Sequence, residues 1–279
     1  LRNALAGRLQ IEPSRLWLGN GSDAAIDLLV RILTEPGAPV AVPSPSYGVY
    51  SQRVRAHAGT AREFRLDADF DLDPVTAREA SRCASLCILC SPNNPTGKMY
   101  SAERLQQLGE LLQAKEKEHN TTISLLSDDP YRKIVYDGVK VPSIFTSYKN
   151  SIIGTSYSKD ISIPGERIGF AAVNPAADFH DDVLNGMALA NRILGFVNAP
   201  ALMQRIVACM QGMSVEIDEY ARKRKLLCDG LADFGYEFIK PSGTFYLFPR
   251  SPIPDDVEFA NALKEERVLV VPGSGFEGP

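Results

Sequence analysis

The 279-residue sequence predicts an α/β fold: a large domain with a mostly parallel central sheet, followed by a smaller α+β unit at the carboxyl end. Two patterns carry this. Short apolar, β-branched runs alternate with amphipathic helical stretches as far as Gly235, and beyond it the alternation changes to short extended runs around a single helix.

The strand candidates are 39–42, 86–90, 123–126, 151–155 and 168–173. The first helix candidate, 23–33, places Ala25, Leu28, Leu29 and Ile32 on one face, with Gly37 beyond its end. The next, 102–118, has Ser101 as N-cap and Leu105, Leu108, Leu111 and Leu112 as its apolar stripe. One long helical stretch from about 201 to 234 leads to Gly235. The remainder reads as 236–239, a Pro-Ser-Gly turn, 245–248, a helix near 257–265 and the apolar run 268–271. The expected division is therefore a large domain over 1–220 and a small one over 221–279. Both ends read as cut. Leu1 falls directly in helical pattern, and Pro279 follows Gly273, Gly275 and Gly278 in an unfinished loop, so the chain is expected to be less than the whole protein.

Composition narrows the function classes. Thirty Lys and Arg stand against 34 Asp and Glu, a net charge of −4, and no basic stripe is interleaved with aromatics, so no nucleic-acid partner is expected. No apolar run approaches the roughly 20 residues needed to cross a bilayer, and Leu1 opens no signal-peptide core, which points to the cytoplasm rather than a membrane. Cys87 and Cys90 have C-x-x-C spacing, yet residues 85–90 read as a buried strand in which cysteine is a small hydrophobe. No Cys/His pair follows at zinc spacing, so no metal site is expected. Cys209 and Cys228 lie in helical pattern and receive the same reading.

Ligands of α/β sheets bind beyond the carboxyl ends of the strands. The loops there are rich in functional groups. After Leu18 comes Gly19-Asn20-Gly21-Ser22-Asp23, a glycine turn opening a helix whose free N–H groups suit an anion. After 42 comes a proline-stiffened loop with Tyr47, a flat stacking surface. After Cys90 comes Ser91-Pro92-Asn93-Asn94-Pro95-Thr96-Gly97, in which Asn94 can hydrogen-bond a ligand. Asp128 and Tyr131, three apart at a strand end, can address one ligand, whereas Asp129 points the other way if the segment is still extended. After 155 come Ser156, Ser158 and Lys159, with Arg167 eight residues on. A lysine, two serines and an arginine at one strand end suit an imine with a phosphate beside it.

The ordered set N-P-T-G at 94–97, D-x-x-Y at 128–131, S-x-S-K at 156–159 and P-G-x-R-x-G at 164–169 resembles the class I/II aminotransferases, pyridoxal-5′-phosphate (PLP) enzymes of fold type I. Residues 21–26 and 45–50 look close to the histidinol-phosphate aminotransferase branch. The resemblance spans the chain and implies a role for each residue. Lys159 holds PLP as a Schiff base and then moves a proton as the free base. Asp128 pairs with the pyridine nitrogen; Tyr131 and Asn94 bond the phenolic oxygen, lowering the proton affinity of the imine; Tyr47 stacks on the ring. The phosphate lies against Gly21, Ser22 and Asp23, with Ser156, Ser158 and Arg167. Asp23 is read equally as a simple N-cap. The activity implied is amino transfer from an L-amino acid to a 2-oxo acid by a ping-pong cycle through pyridoxamine phosphate, in a homodimer with composite active sites.

The chain departs from the family pattern at both ends. The family's arginine for the substrate α-carboxylate follows a segment similar to 270–276, and a tyrosine for the partner's site precedes Leu1. Arg192 is read as a solvated helix arginine, with a substrate carboxylate as the alternative. The segment Pro241-Ser242-Gly243-Thr244-Phe245-Tyr246 is similar to the family's small-domain strand near the substrate, and packing explains its aromatics equally well. A β-lyase or decarboxylase on the same apparatus and a non-catalytic PLP-binding regulatory module remain as rivals. Aspartate, aromatic and histidinol-phosphate donors all stay open.

Overall fold

In a computed structural model, which describes residues 1–276, seven strands form one sheet: Leu16–Gly19 (β1), Pro39–Ser44 (β2), Thr60–Arg65 (β3), Leu86–Cys90 (β4), Ser124–Asp128 (β5), Ser151–Ser156 (β6) and Gly169–Val173 (β7). Their spatial order is β1-β7-β6-β5-β4-β2-β3. Only β7 runs antiparallel to its neighbours. The central strands are buried on both faces, and their side chains alternate between two cores. Leu16, Leu18, Cys87, Leu89, Leu125 and Ile153 enter one core; Trp17, Leu86, Ile88, Leu126 and Ile152 enter the other.

Helices cover both faces. Arg2–Leu9 (α1), Ser22–Leu33 (α2), Val49–Ala56 (α3), Pro74–Ala80 (α4), Ala102–His119 (α5), His180–Ile193 (α6), Ala201–Cys209 (α7), Ile217–Asp233 (α8) and Asp256–Glu265 (α9) follow in chain order. Leu105, Leu108, Leu111 and Leu112 of α5 pack in the first core, and Ala25, Leu28 and Leu29 of α2 pack with Val183 and Met187 of α6 in the second. Ser101 caps α5 as its sequence predicts, accepting from the Arg104 amide at 3.2 Å.

Several expectations are corrected. The stretch read as one helix over 201–234 is two, α7 and α8. Gly212 at φ +94° turns the chain between them, and the Val215 amide bonds the Asp160 carbonyl at 2.7 Å, tying the break to the segment beside Lys159. Residues 236–239, 245–248 and 268–271 carry no assigned strand; a strand exists only through its pairing, and this region contributes one isolated bridge, Val135 to Gly243. Cys87, Cys90 and Cys228 are buried, whereas Cys209, at the end of the short α7, and Cys83, in the turn after α4, are exposed. Gly278 and Pro279 lie outside the described residues. No helix among the described residues is long and apolar enough to cross a membrane.

Sheet register brings the functional loops to one edge. Cys90 lies opposite Asp128, Asp128 opposite Gly154, and both Ser156 and Gly19 opposite Gly169. Gly169 is one of the close approaches there. A Cβ there would stand 2.4 Å from the Thr155 carbonyl oxygen and 2.8 Å from the Gly21 Cα, backbone atoms that cannot swing aside. Gly169→Ala is expected to cost about 1–3 kcal/mol in denaturant unfolding of the apoprotein and to weaken cofactor binding by displacing the Gly21 turn. Gly165→Ala, with nothing within 4 Å of its Cβ, serves as the control.

Candidate active site

A cavity of about 140 Å³ opens at that edge and is lined by Ser22, Asp23, Tyr47, Asn94, Asp128, Tyr131, Ser156, Ser158, Lys159 and Arg167. These are the site residues expected from the sequence, except Gly21, which lies directly behind Arg167. Gly21 adopts φ +97°, and a Cβ on it would sit 3.2 Å from the Arg167 guanidinium. The positive φ calls for glycine there, and the guanidinium would have to give by a few tenths of an ångström to admit a Cβ.

Gly21 is also the N-cap of α2 and offers no side chain to the first-turn amides. Those amides are open to an anion at the cavity. Arg167, in left-handed conformation at φ 47°, reaches back to the same place. Its guanidinium donates to the Pro164 carbonyl at 2.8 Å and stands 3.6 Å from the Asp23 carboxylate. Asp23 is thus more than a backbone contact, since its other oxygen accepts from the Tyr47 hydroxyl at 3.5 Å. Burial, reinforced by the Asp23 charge, pushes the Tyr47 phenol up to about 12, so it stays protonated.

Asp128 ends β5 on the cavity floor, 2% exposed. One carboxylate oxygen, Oδ2, accepts from the Tyr50 hydroxyl at 2.8 Å; the other, Oδ1, is buried without a hydrogen-bond partner among the described residues. Burial pushes this carboxyl up to about 7, opposed by the Tyr50 bond and reinforced by the charges of Asp23 and Asp129. Asp129 turns away as its alternation predicts, accepting from Ser127 at 2.5 Å and Arg132 at 2.7 Å. The Asn94 side-chain oxygen is likewise buried and has no partner among the described residues. Lys159, in the turn after β6, forms no ion pair among the described residues, and its Nζ lies 5.5 Å from the Phe245 ring centroid.

Four further residues line the cavity without having been expected there, Tyr50, Cys90, Pro130 and Pro164, and two of them carry titratable groups. Tyr50 is fully buried and stands three residues after Tyr47, so the start of α3 presents both rings to one place, in edge contact at 5.5 Å. That spacing was the available signal. Cys90 is the other; burial, then the Asp128 charge, pushes its thiol well above the usual range, so it serves as packing. Arg192 is exposed at the last turn of α6 and is not among the cavity residues.

A family model described as "Aminotransferase class I and II" matches residues 1–279. The chain belongs to that family. A probable aspartate aminotransferase of Methanocaldococcus jannaschii is 31% identical over 96% of this chain and 71% of its own length. An aspartate aminotransferase of Bacillus subtilis is 29% identical over 100% of this chain and 75% of its own. The crystal structure of an amino transferase from Eubacterium rectale superposes with a TM-score of 0.94 at 34% identity, covering 100% of this chain and 72% of that one. The protein is therefore a PLP-dependent aminotransferase, acting on an amino acid and a 2-oxo acid, and these relatives do not favour the lyase or regulatory readings. Its fold accords with this, and the cavity fits the cofactor. A buried carboxylate oxygen without a donor matches a protonated ring nitrogen, and an uncapped helix start beside an arginine matches a phosphate.

Proposed function

We propose that this aminotransferase moves the amino group of an L-amino acid to a 2-oxo acid in two half-reactions, with Lys159 as the covalent anchor and proton carrier. The observation that supports this reading most is the unpartnered Asp128 Oδ1, buried in the cavity that Lys159 lines. When bound, PLP supplies an aldehyde that captures amines and a protonated ring that withdraws electrons from the substrate Cα.

The chain's residues perform the rest. The Lys159 Nζ would hold the cofactor through its aldehyde group, and as a free amine would carry a proton to and from the substrate Cα. Asp128 holds the ring nitrogen protonated through its charge. Tyr131 donates to the phenolic oxygen, and the Asn94 amide has a donor to add to it. Tyr47 covers the ring face. The first amides of α2, with the hydroxyls of Ser22, Ser156 and Ser158 and the Arg167 guanidinium, hold the phosphate. We further propose that residues 1–220 and 221–279 act as large and small domains and that the active enzyme is a cytoplasmic homodimer with composite sites.

Borohydride reduction of the holoenzyme followed by peptide mapping tests the anchor: the label is expected on Lys159, and a label on any other lysine rejects the assignment. Keto-acid release from the amino donor is expected to continue beyond one equivalent only when a 2-oxo acid acceptor is added, whereas a lyase continues without one.

A further inference from the structure

We propose that Tyr246 is a positioning residue for Tyr131, donating to the Tyr131 oxygen so that the Tyr131 proton is aimed into the cavity. The proposal rests on the reading above that Tyr131 donates to the cofactor's phenolic oxygen. The two hydroxyl oxygens are 3.1 Å apart, and the rings meet edge to face at 5.7 Å and 74°. Neither hydroxyl has another hydrogen-bond partner among the described residues.

Two hydroxyls sharing one bond leave one proton free, and its owner decides what the cavity meets. Tyr131 lines the cavity and Tyr246 stands behind it. If Tyr131 donates backwards, it presents only lone pairs to an anionic ligand. If Tyr246 donates, the Tyr131 proton faces the anion. An anion accepting that proton also makes the Tyr131 oxygen a better acceptor, so the two bonds strengthen each other. Burial keeps the Tyr131 phenol protonated, so a proton is there to be aimed.

The backbone holds Tyr246 in place at some cost. Thr244, a fully buried β-branched residue, adopts φ 64°, a conformation that such side chains rarely tolerate. It is held by bonds on every side: its amide donates to the Ile134 carbonyl at 2.9 Å, its carbonyl accepts from the Tyr136 hydroxyl, and its Oγ1 accepts from the Tyr246 amide at 3.1 Å. Gly243 allows the close approach, since a Cβ there would stand 2.6 Å from the Pro92 ring. The loop that carries Tyr131 and the segment that carries Tyr246 are therefore joined both by backbone and by hydroxyls.

The readout is the pH midpoint at which the visible absorbance of the holoenzyme titrates, because a donor to the phenolic oxygen lowers it. Y131F is expected to raise the midpoint, and Y246F to raise it by a smaller amount, about half a pH unit or threefold in the proton dissociation constant. In a Y131F background, Y246F is expected to add nothing, since it acts through Tyr131. Circular dichroism of each apoprotein verifies the fold, and Tyr246→His, which keeps a donor, provides a second variant whose midpoint is expected nearer the wild type than that of Y246F. If Y131F shifts the midpoint and Y246F does not, or if Y246F shifts it equally with and without Tyr131, the positioning role is overturned. If Y131F leaves the midpoint unmoved, the placement of Tyr131 itself fails, and this proposal with it.

Discussion

Replacing Lys159 with alanine is expected to lower turnover roughly 10⁴-fold or more while leaving the apoprotein folded. The side chain is half-buried in the turn after β6 and forms no ion pair among the described residues, so its removal breaks no network. Two other half-buried lysines contrast with it. Lys133 is neutralised by Asp160 at 2.7 Å, and Lys98 by Asp71 at 3.3 Å. Only a lysine without a carboxylate partner can shed its proton and attack an aldehyde without breaking an ion pair, and Lys159 is so placed, at the cavity.

The arginine variant separates charge from base. Lys159→Arg keeps a cation over the Phe245 ring but cannot lose its proton near neutral pH. It is expected to be as inactive as the alanine variant, measured as single-turnover decay of the holoenzyme spectrum with an amino acid. Activity within tenfold of wild type in either variant sinks the assigned role.

Much of this site was legible locally. β4 was read at its observed bounds, and α2 and α5 within one residue at each end, because apolar periodicity, the Ser101 cap and glycine turns are written in consecutive residues. What escaped has physical reasons. β3 reads Thr-Ala-Arg-Glu-Phe-Arg, an edge strand with one buried side chain, Phe64, so it offers no apolar run to recognise. The break between α7 and α8 depends on Asp160, more than 50 residues away in sequence. Tyr50 and Asp128 are 78 residues apart, and Tyr131 and Tyr246 115 apart, so neither pairing leaves a local trace. Motif spacing located the groups that face the cavity; the groups that orient them emerge only from tertiary contact.

Asp128→Asn preserves shape and the Tyr50 contact but removes the charge, and it is expected to lower kcat roughly 10²- to 10³-fold, the consequence of leaving a buried cation unpaired at about 3–5 kcal/mol. Stability should respond in the opposite sense. Because the Asp128 carboxyl is raised to about 7, the native apoprotein keeps its proton to that pH, whereas the unfolded chain releases it near the ordinary aspartate value of 3.8. Between those values the native state binds more protons, so the apoprotein loses stability from this group as pH rises from about 4 to 7, and no more above that. The loss is on the order of 4 kcal/mol at most. Asp128→Asn abolishes this dependence, so the melting temperature of its apoprotein should gain on the wild type across that window. A protonated ring opposite Oδ1 favours the carboxylate and removes the penalty, so cofactor should stabilise the wild type increasingly as pH approaches 7 and the variant far less. Parallel melting curves for the two apoproteins across that range would show that the carboxylate is not burdened as its burial implies, and would remove the physical basis for its pairing with the cofactor nitrogen.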